Sequence, residues 1–134
     1  VQGPEDCENA RKRMGAAAAL VRRYEGWSSV LVAGDFNVDP EDSGRAIYDR
    51  TDDIFTTRSF DRLCETKRGC SMPTYPKVAK RSKRLEGSAI DLAFFRGGGL
   101  WKATSFDVLE KAPQRSKNKL GSDHLPVLIE LRRR

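Results

Sequence analysis

A mixed α/β fold is what this sequence predicts, and three observations carry that reading. An amphipathic helical pattern opens the chain. Ala10, Met14, Ala17, Val21 and Tyr24 recur at spacings of four, three, four and three, which places them on one helical face. Short apolar runs of strand length follow at Ser29–Ala33, Ala89–Phe95 and Pro126–Leu131. No repeat and no linker-like stretch divides the chain, so helices and strands must layer around shared cores.

The elements follow in order. Gly3-Pro4-Glu5-Asp6 starts the first helix: proline fits the first turn and the acids fit the positive end of the helix dipole. Gly26 ends it. The Ala16–Ala19 run reads equally as close packing on a sheet or as plain helix propensity. Ser29–Ala33 is apolar through its middle and predicts a strand buried on both faces. Gly34–Asp42 is a loop, Ser43–Arg50 a short helix and Ser59–Glu65 a second one. Thr66–Gly87 is loop-rich, basic and broken by Pro73 and Pro76. Ala89–Phe95 is a strand stopped by Gly97-Gly98-Gly99. Ala103–Leu109 alternates as a strand, Ala112–Gly121 is a charged loop, and Pro126–Leu131 is the last strand.

At 134 residues the chain makes one domain, 1–134, long enough to bury a core. Residues are 38% hydrophobic and 33% charged, and no apolar run approaches the ~20 residues of a membrane span. No charged-then-apolar leader opens the sequence, and an intracellular setting is the expectation. The net charge is +6, and the excess is clustered. Lys77, Lys80, Arg81, Lys83 and Arg84 form one run; Lys111, Arg115, Lys117 and Lys119 form another. Basic clusters bind polyanions by releasing counterions from phosphates, and they also occur as solvated loops; both readings stand for these runs. Arg132–Arg134, after the last strand, read as solvated. Trp27 and Trp101 read as packing rather than as stacking platforms for bases. Cys7, Cys64 and Cys70 lack paired zinc spacing. A Cys64–Cys70 disulfide fits an oxidising compartment, but reduced thiols are the expectation.

Three polar motifs abut the strand-length runs. Gly34-Asp35-Phe36-Asn37 follows the first, Asp91 opens Leu92-Ala93-Phe94-Phe95, and Ser122-Asp123-His124-Leu125-Pro126 precedes the last. His124 is the only histidine in the sequence. Polar groups at strand ends are held rigidly, where chemistry is often done. Asp35 is a carboxylate at a strand end and Asn37 an amide donor two residues on, so both can face one ligand. Residues two apart in an extended stretch point the same way, so Phe36 turns away and packs. Alone, the pair reads as a turn in which Asp35 and Asn37 bond the backbone; the company of the other motifs reverses that. Left by itself, Asp91 reads as a solvent-facing acid, His124 as a loop histidine and Asp123 as an Asx turn.

In their order, the GDFN, SAIDLAFF and SDHLPV motifs resemble the C-terminal half of the endonuclease/exonuclease/phosphatase superfamily, typified by deoxyribonuclease I. The resemblance covers most of Ser29–Leu131. It implies a deoxyribonuclease I-like α/β sandwich, of which 1–134 is about half, each half giving one sheet. It also implies a metal-dependent phosphodiesterase, most readily a nuclease acting on DNA or RNA. Asp35, Asn37, Asp91 and His124 become the catalytic residues, with Asp91 pairing His124, and Asp35 and Asp123 the metal side. Hard oxygen ligands suit Mg²⁺ or Mn²⁺. Thr74, in Met72-Pro73-Thr74-Tyr75-Pro76, resembles a threonine-bearing segment that contacts phosphate, although a strand-edge threonine explains it too. Lys80, Arg81 and Lys83 are the substrate-binding cations. The family's metal-binding glutamate belongs to an N-terminal half with no counterpart here. A second polypeptide or fragment supplying that half is therefore an expected partner, beside nucleic acid. Two other classes compete. One is a catalytically incomplete module that binds nucleic acid or protein in a larger assembly. The other is a phosphatase or lipid phosphodiesterase of the same superfamily.

Overall fold

The computed structural model describes residues 4–38, 45–77, 86–110 and 123–134, and within them the chain is mixed α/β. Helix α1 (Pro4–Arg23) leads through a turn to strand β1 (Val30–Asp35), then helix α2 (Arg45–Thr56). Strands β2 (Asp61–Leu63), β3 (Tyr75–Lys77), β4 (Glu86–Ser88), β5 (Asp91–Arg96), β6 (Trp101–Val108) and β7 (Val127–Arg133) follow. A three-stranded sheet has the order β1-β5-β2; β3 pairs β4, and β6 pairs β7. Every pairing is antiparallel. No helix among the described residues is long and apolar enough to cross a membrane.

Strand β5 sits in the middle, and the structure layers around it. Its side chains alternate between two cores. Leu92 and Phe94 face the helices, where Ala17 and Val21 of α1 meet Tyr48 and Phe55 of α2. Ala93 faces the other way, toward Phe106 and Val108 of β6 and Val127 and Ile129 of β7. Helices therefore cover one face and the β6–β7 pair covers the other. This differs from the expectation that the chain gives a single sheet: its strands enter two facing layers.

The first core is aromatic. Phe94 is fully buried, with its ring stacked on that of Phe55 at 4.1 Å between centroids. Phe36 meets both rings edge-on, at 5.9 and 5.6 Å, and Phe60 meets Phe55 at 5.6 Å. Stacked and edge-to-face arrangements are those the ring quadrupoles favour. Arg62 of β2 reaches over the ring of Tyr48 in α2 and donates to its hydroxyl at 2.5 Å, with Asp52 3.4 Å away. At the far end of β5, Arg96 lies over the Phe60 ring and donates to the carbonyls of Tyr24, Trp27 and Arg58.

Several elements depart from the sequence reading. The helical face of α1 holds: Ala10, Ala17 and Val21 are buried. Ala16 and Ala19 are exposed, so helix propensity rather than close packing explains them. Strand β1 is not buried on both faces: Val30 and Val32 pack on the first core, while Leu31, on the opposite face, is 41% exposed and lies outside the second core. It is also the outermost strand, with β5 as its one partner among the described residues. Doubly buried character belongs to the central β5 instead. Helix α2 runs on to Thr56, carrying Phe55 into the core. The helix expected at Ser59–Glu65 is strand β2 followed by a turn, because pairing with β5 outweighs local propensity. Pro73 and Pro76 suggested only loop, yet Pro76 is the middle residue of β3, opposite Gly87 of β4 in a two-stranded pairing where both strands are edges. Cys64 and Cys70 are joined by a disulfide, Cα atoms 4.5 Å apart, where reduced thiols are the sequence expectation. The turn between them, closed by a Glu65–Gly69 bridge, brings the two ends within bonding geometry.

The Gly97–Gly99 stop is a tight turn with a steric reason. Gly98 has φ +60, and a Cβ there would lie 2.1 Å from the carbonyl oxygen of Ser28.

Phe94→Ala should destabilise the chain by ~3–5 kcal/mol, the usual cost of deleting a buried ring and leaving a cavity. Urea unfolding measures it; a loss below ~1 kcal/mol would show that the aromatic cluster is not the first core's anchor.

Candidate functional site

The register of β1 against β5 builds the site. Asp35, last residue of β1, stands directly opposite Asp91, first residue of β5. Like charges directly opposite on neighbouring strands repel, so the position needs a cation. His124 supplies it. Its Nδ1 lies 2.7 Å from Asp91 Oδ2, a hydrogen bond that the ring nitrogen donates, and its Nε2 lies 3.8 Å from Asp35 Oδ2. The second distance is an ion-pair approach rather than a hydrogen bond. The imidazole thus sits between two carboxylates.

The electrostatics follow from that placement. The hydrogen bond to Asp91 raises the His124 pKa above its ordinary value; partial burial opposes this, and the charges of Asp91, Asp35 and Asp123 reinforce it. Side-chain exposures of 25% for His124, 21% for Asp91 and 38% for Asp35 leave the cluster reachable from solvent.

Asn37 follows Asp35 in the left-handed region, φ 51, a conformation asparagine tolerates better than most residues. Its main-chain N–H donates to Asp35 Oδ1 at 2.8 Å. The Asx-type turn is therefore present at the same place as the candidate catalytic pair, and it orients the Asp35 carboxylate. Phe36 turns inward, as the alternation predicts, while Asn37 is exposed. Asp123 is exposed beside His124. Asp35, Asp91 and His124 are thus brought together, with Asn37 and Asp123 adjoining them in sequence.

Thr74 is placed differently from a phosphate contact. It is 1% exposed, and its hydroxyl oxygen accepts the Asp91 N–H at 3.0 Å. Tyr75 is the residue at the surface, 40% exposed, with its ring 5.0 Å from the His124 ring. Sequence reasoning saw Tyr75 only as part of the threonine segment; the signal available was an aromatic alternating with a buried neighbour. Lys80, Arg81 and Lys83 lie outside the described residues, as do Lys111, Arg115, Lys117 and Lys119. Lys77 and Glu86, which bound the first basic run, are paired across β3 and β4.

Among the described residues, no group of three or more His, Cys, Asp and Glu side chains is disposed to hold a metal ion. Asp35 and Asp123 are hard oxygen donors of the type Mg²⁺ takes. Asp35 already turns one oxygen to the Asn37 amide and the other toward His124. The donor set on these residues is incomplete for Mg²⁺ or Mn²⁺. Beside the cluster, between β1–β5 and β7, opens a cleft of about 260 Å³ whose walls include Ala33, Asp91, Leu125 and Ile129.

No protein-family model matches the chain, nor does any curated protein or solved structure.

Chemically, the cluster sets a carboxylate beside an imidazole whose charged form is favoured. The Asp35 carboxylate can take a proton from water, while the imidazolium, held by Asp91, can donate from Nε2 to a developing oxyanion. Because the folded state binds the proton more tightly than the unfolded chain, His124 contributes stability that is fully present below ~6.5. That contribution is lost as pH rises through the higher folded-state pKa. Urea midpoints of the wild type and His124→Gln, compared across that range, should converge as pH rises. A difference independent of pH would mean that the two aspartates do not charge the ring.

Proposed function

We propose that the chain carries the His–Asp half of a phosphodiester hydrolase, with nucleic acid as substrate. The observation that carries the reading is His124 held between Asp91 and Asp35 at the open end of the β1–β5 pairing. Phosphodiester hydrolysis needs an oriented, deprotonated water and a positive group on the phosphoryl oxygens. Asp35 serves the first need. His124, whose charged form the hydrogen bond to Asp91 favours, serves the second and in that form can protonate the leaving oxygen. Asn37 adds an amide donor, and Asp123 a further carboxylate.

The ordered motifs resembling the deoxyribonuclease I-like superfamily support this reading and its sandwich fold. In that reading the helix-covered sheet and the β6–β7 layer are parts of a larger two-sheet domain. The remaining metal ligand comes from a further polypeptide segment or a second chain. Support for completion is the outer position of β1 among the described residues, where Leu31 and Ala33 are exposed and the one charge of the strand is Asp35 at its end. Unpaired, apolar edges invite an added strand. Magnesium or manganese dependence belongs to the completed enzyme, where the ion neutralises charge on the phosphate. Nucleic acid is favoured over a lipid because of the basic run from Lys77 to Arg84, which in the sequence follows Tyr75, the residue whose ring lies against His124.

The incomplete donor set favours a second reading, a binding module without turnover. Assay of the native polypeptide that carries this chain, with oligonucleotide substrates and Mg²⁺, separates the two. His124→Ala and Asp35→Ala should each cost ~10²–10⁴ in rate with circular dichroism unchanged. Near-normal turnover in either variant sinks the catalytic assignment, and cleavage absent from the native polypeptide leaves the binding module.

Charge reversal at Lys80, Arg81 and Lys83 should flatten the dependence of oligonucleotide affinity on salt, since each phosphate contact adds about one unit to the logarithmic slope. A slope equal to that of the wild type would make these residues solvated surface.

A further inference from the structure

Thr74 joins the two members of the His124–Asp91 pair through separate atoms. Its hydroxyl oxygen accepts the Asp91 N–H at 3.0 Å, and its carbonyl oxygen accepts the Leu125 N–H at 2.7 Å. Its own N–H donates to Ser88 at 3.1 Å, which seats it on the β3–β4 pairing. Asp91 and Leu125 belong to segments with no strand pairing to each other among the described residues: Asp91 opens β5, and Leu125 precedes β7 in the facing layer. The 2.7 Å bond between His124 and Asp91 therefore spans two layers, and Thr74 is bonded to the chain on both sides of it.

We propose that Thr74 is the positioning residue of this site, a buried clamp that sets the distance between the imidazole and the Asp91 carboxylate. The assignment rests on the catalytic reading of the pair. At 1% exposure Thr74 lies beneath the pair and is closed to substrate. Its hydroxyl matters for a specific reason: the Asp91 N–H is the first donor of β5, and the Thr74 oxygen is the partner that fixes it. Valine has the same shape but no acceptor, so it would leave that donor unmatched and free Asp91 to shift along the strand axis. Serine keeps the acceptor and loses only a methyl group. A misplacement of about 1 Å in a reacting constellation commonly costs ~10²-fold in rate, so the clamp acts on turnover and not on substrate affinity.

The single histidine makes the test unambiguous. In the 134-residue chain, with its single histidine, the proton on His124 Nδ1, bonded to Asp91, is expected to give a downfield imidazole resonance in cold proton spectra. That resonance is expected to vanish or broaden in Thr74→Val and to persist in Thr74→Ser. In the native polypeptide kcat should fall ~10–100-fold in Thr74→Val with KM unchanged, and Thr74→Ser should restore most of it. Hydrogen exchange of the unmodified chain covers the case in which Thr74→Val does not fold: the Asp91 and Leu125 amides should exchange slowly, and at similar rates. A resonance that survives in Thr74→Val, or an Asp91 amide that exchanges as freely as an exposed one, overturns the proposal. The spectroscopic arms need no turnover. Loss of the resonance with serine rescue, alongside full activity in His124→Ala, would retain the clamp and reject the catalytic reading on which it was placed.

Discussion

The register of β1 against β5 is the constraint from which the rest of the structure follows. Side chains on a strand alternate between faces, so a slip of one residue would exchange the two cores. Leu92 and Phe94 would leave the helices, and Ala93 would leave β6 and β7. The same register sets Asp35 opposite Asp91. Packing and electrostatics thereby become one problem. The hydrophobic clusters fix the alignment, and the alignment forces two carboxylates to face each other. The repulsion between them is tolerated because the facing layer brings an imidazole between them.

That dependence runs through both layers. The β6–β7 pair covers the second face of β5 and, in the segment before β7, carries His124 to the end of the sheet. Hydrogen bonds from the Cys64–Cys70 turn fasten the layers farther along: Thr66 N–H donates to the Phe106 carbonyl at 2.9 Å, and Phe106 N–H donates to the Thr66 hydroxyl at 3.1 Å. Arg68 pairs with both Glu65 and Glu110, adding a charged link between the turn and the end of β6. The site therefore lies at a seam between independently paired sheets. Its geometry depends on contacts well away from the carboxylates.

What could be read in the sequence was whatever local pattern decides. Helix α1 and the central strand β5 carry their periodicity openly, and His124 stands out as the only histidine in an ordered set of motifs. Strand β2 was illegible because three residues, Asp61–Leu63, have too little pattern of their own and take their state from β5. The exposure of β1 was misread for a related cause. Val30-Leu31-Val32 is as apolar as a doubly covered strand, and only the packing shows that Leu31 lies outside the second core. In the site, Asp35, Asp91 and His124 were legible as polar groups at strand ends, whereas Thr74 was legible as a phosphate contact by resemblance or as a strand-edge threonine, and not as the buried partner of the Asp91 N–H. Its position depends on the pairing of β3 with β4, a hairpin obscured by two prolines and a long basic connection.

Arg96 has a consequence for how the molecule opens. Its guanidinium gathers carbonyls from the turn after α1, at Tyr24, Glu25 and Trp27, and from the turn after α2, at Arg58. Helix ends fray readily, and both turns follow a C-terminus, the negative end of a helix dipole, where a cation is favourable. Here the two frayable ends share one cation at the tip of the most buried strand. Neither can unravel without weakening the hold on the other, and neither reaches the solvent-facing carboxylates at the opposite end of β5. Opening of either helix end therefore costs contacts at both, at the end of β5 opposite the carboxylates.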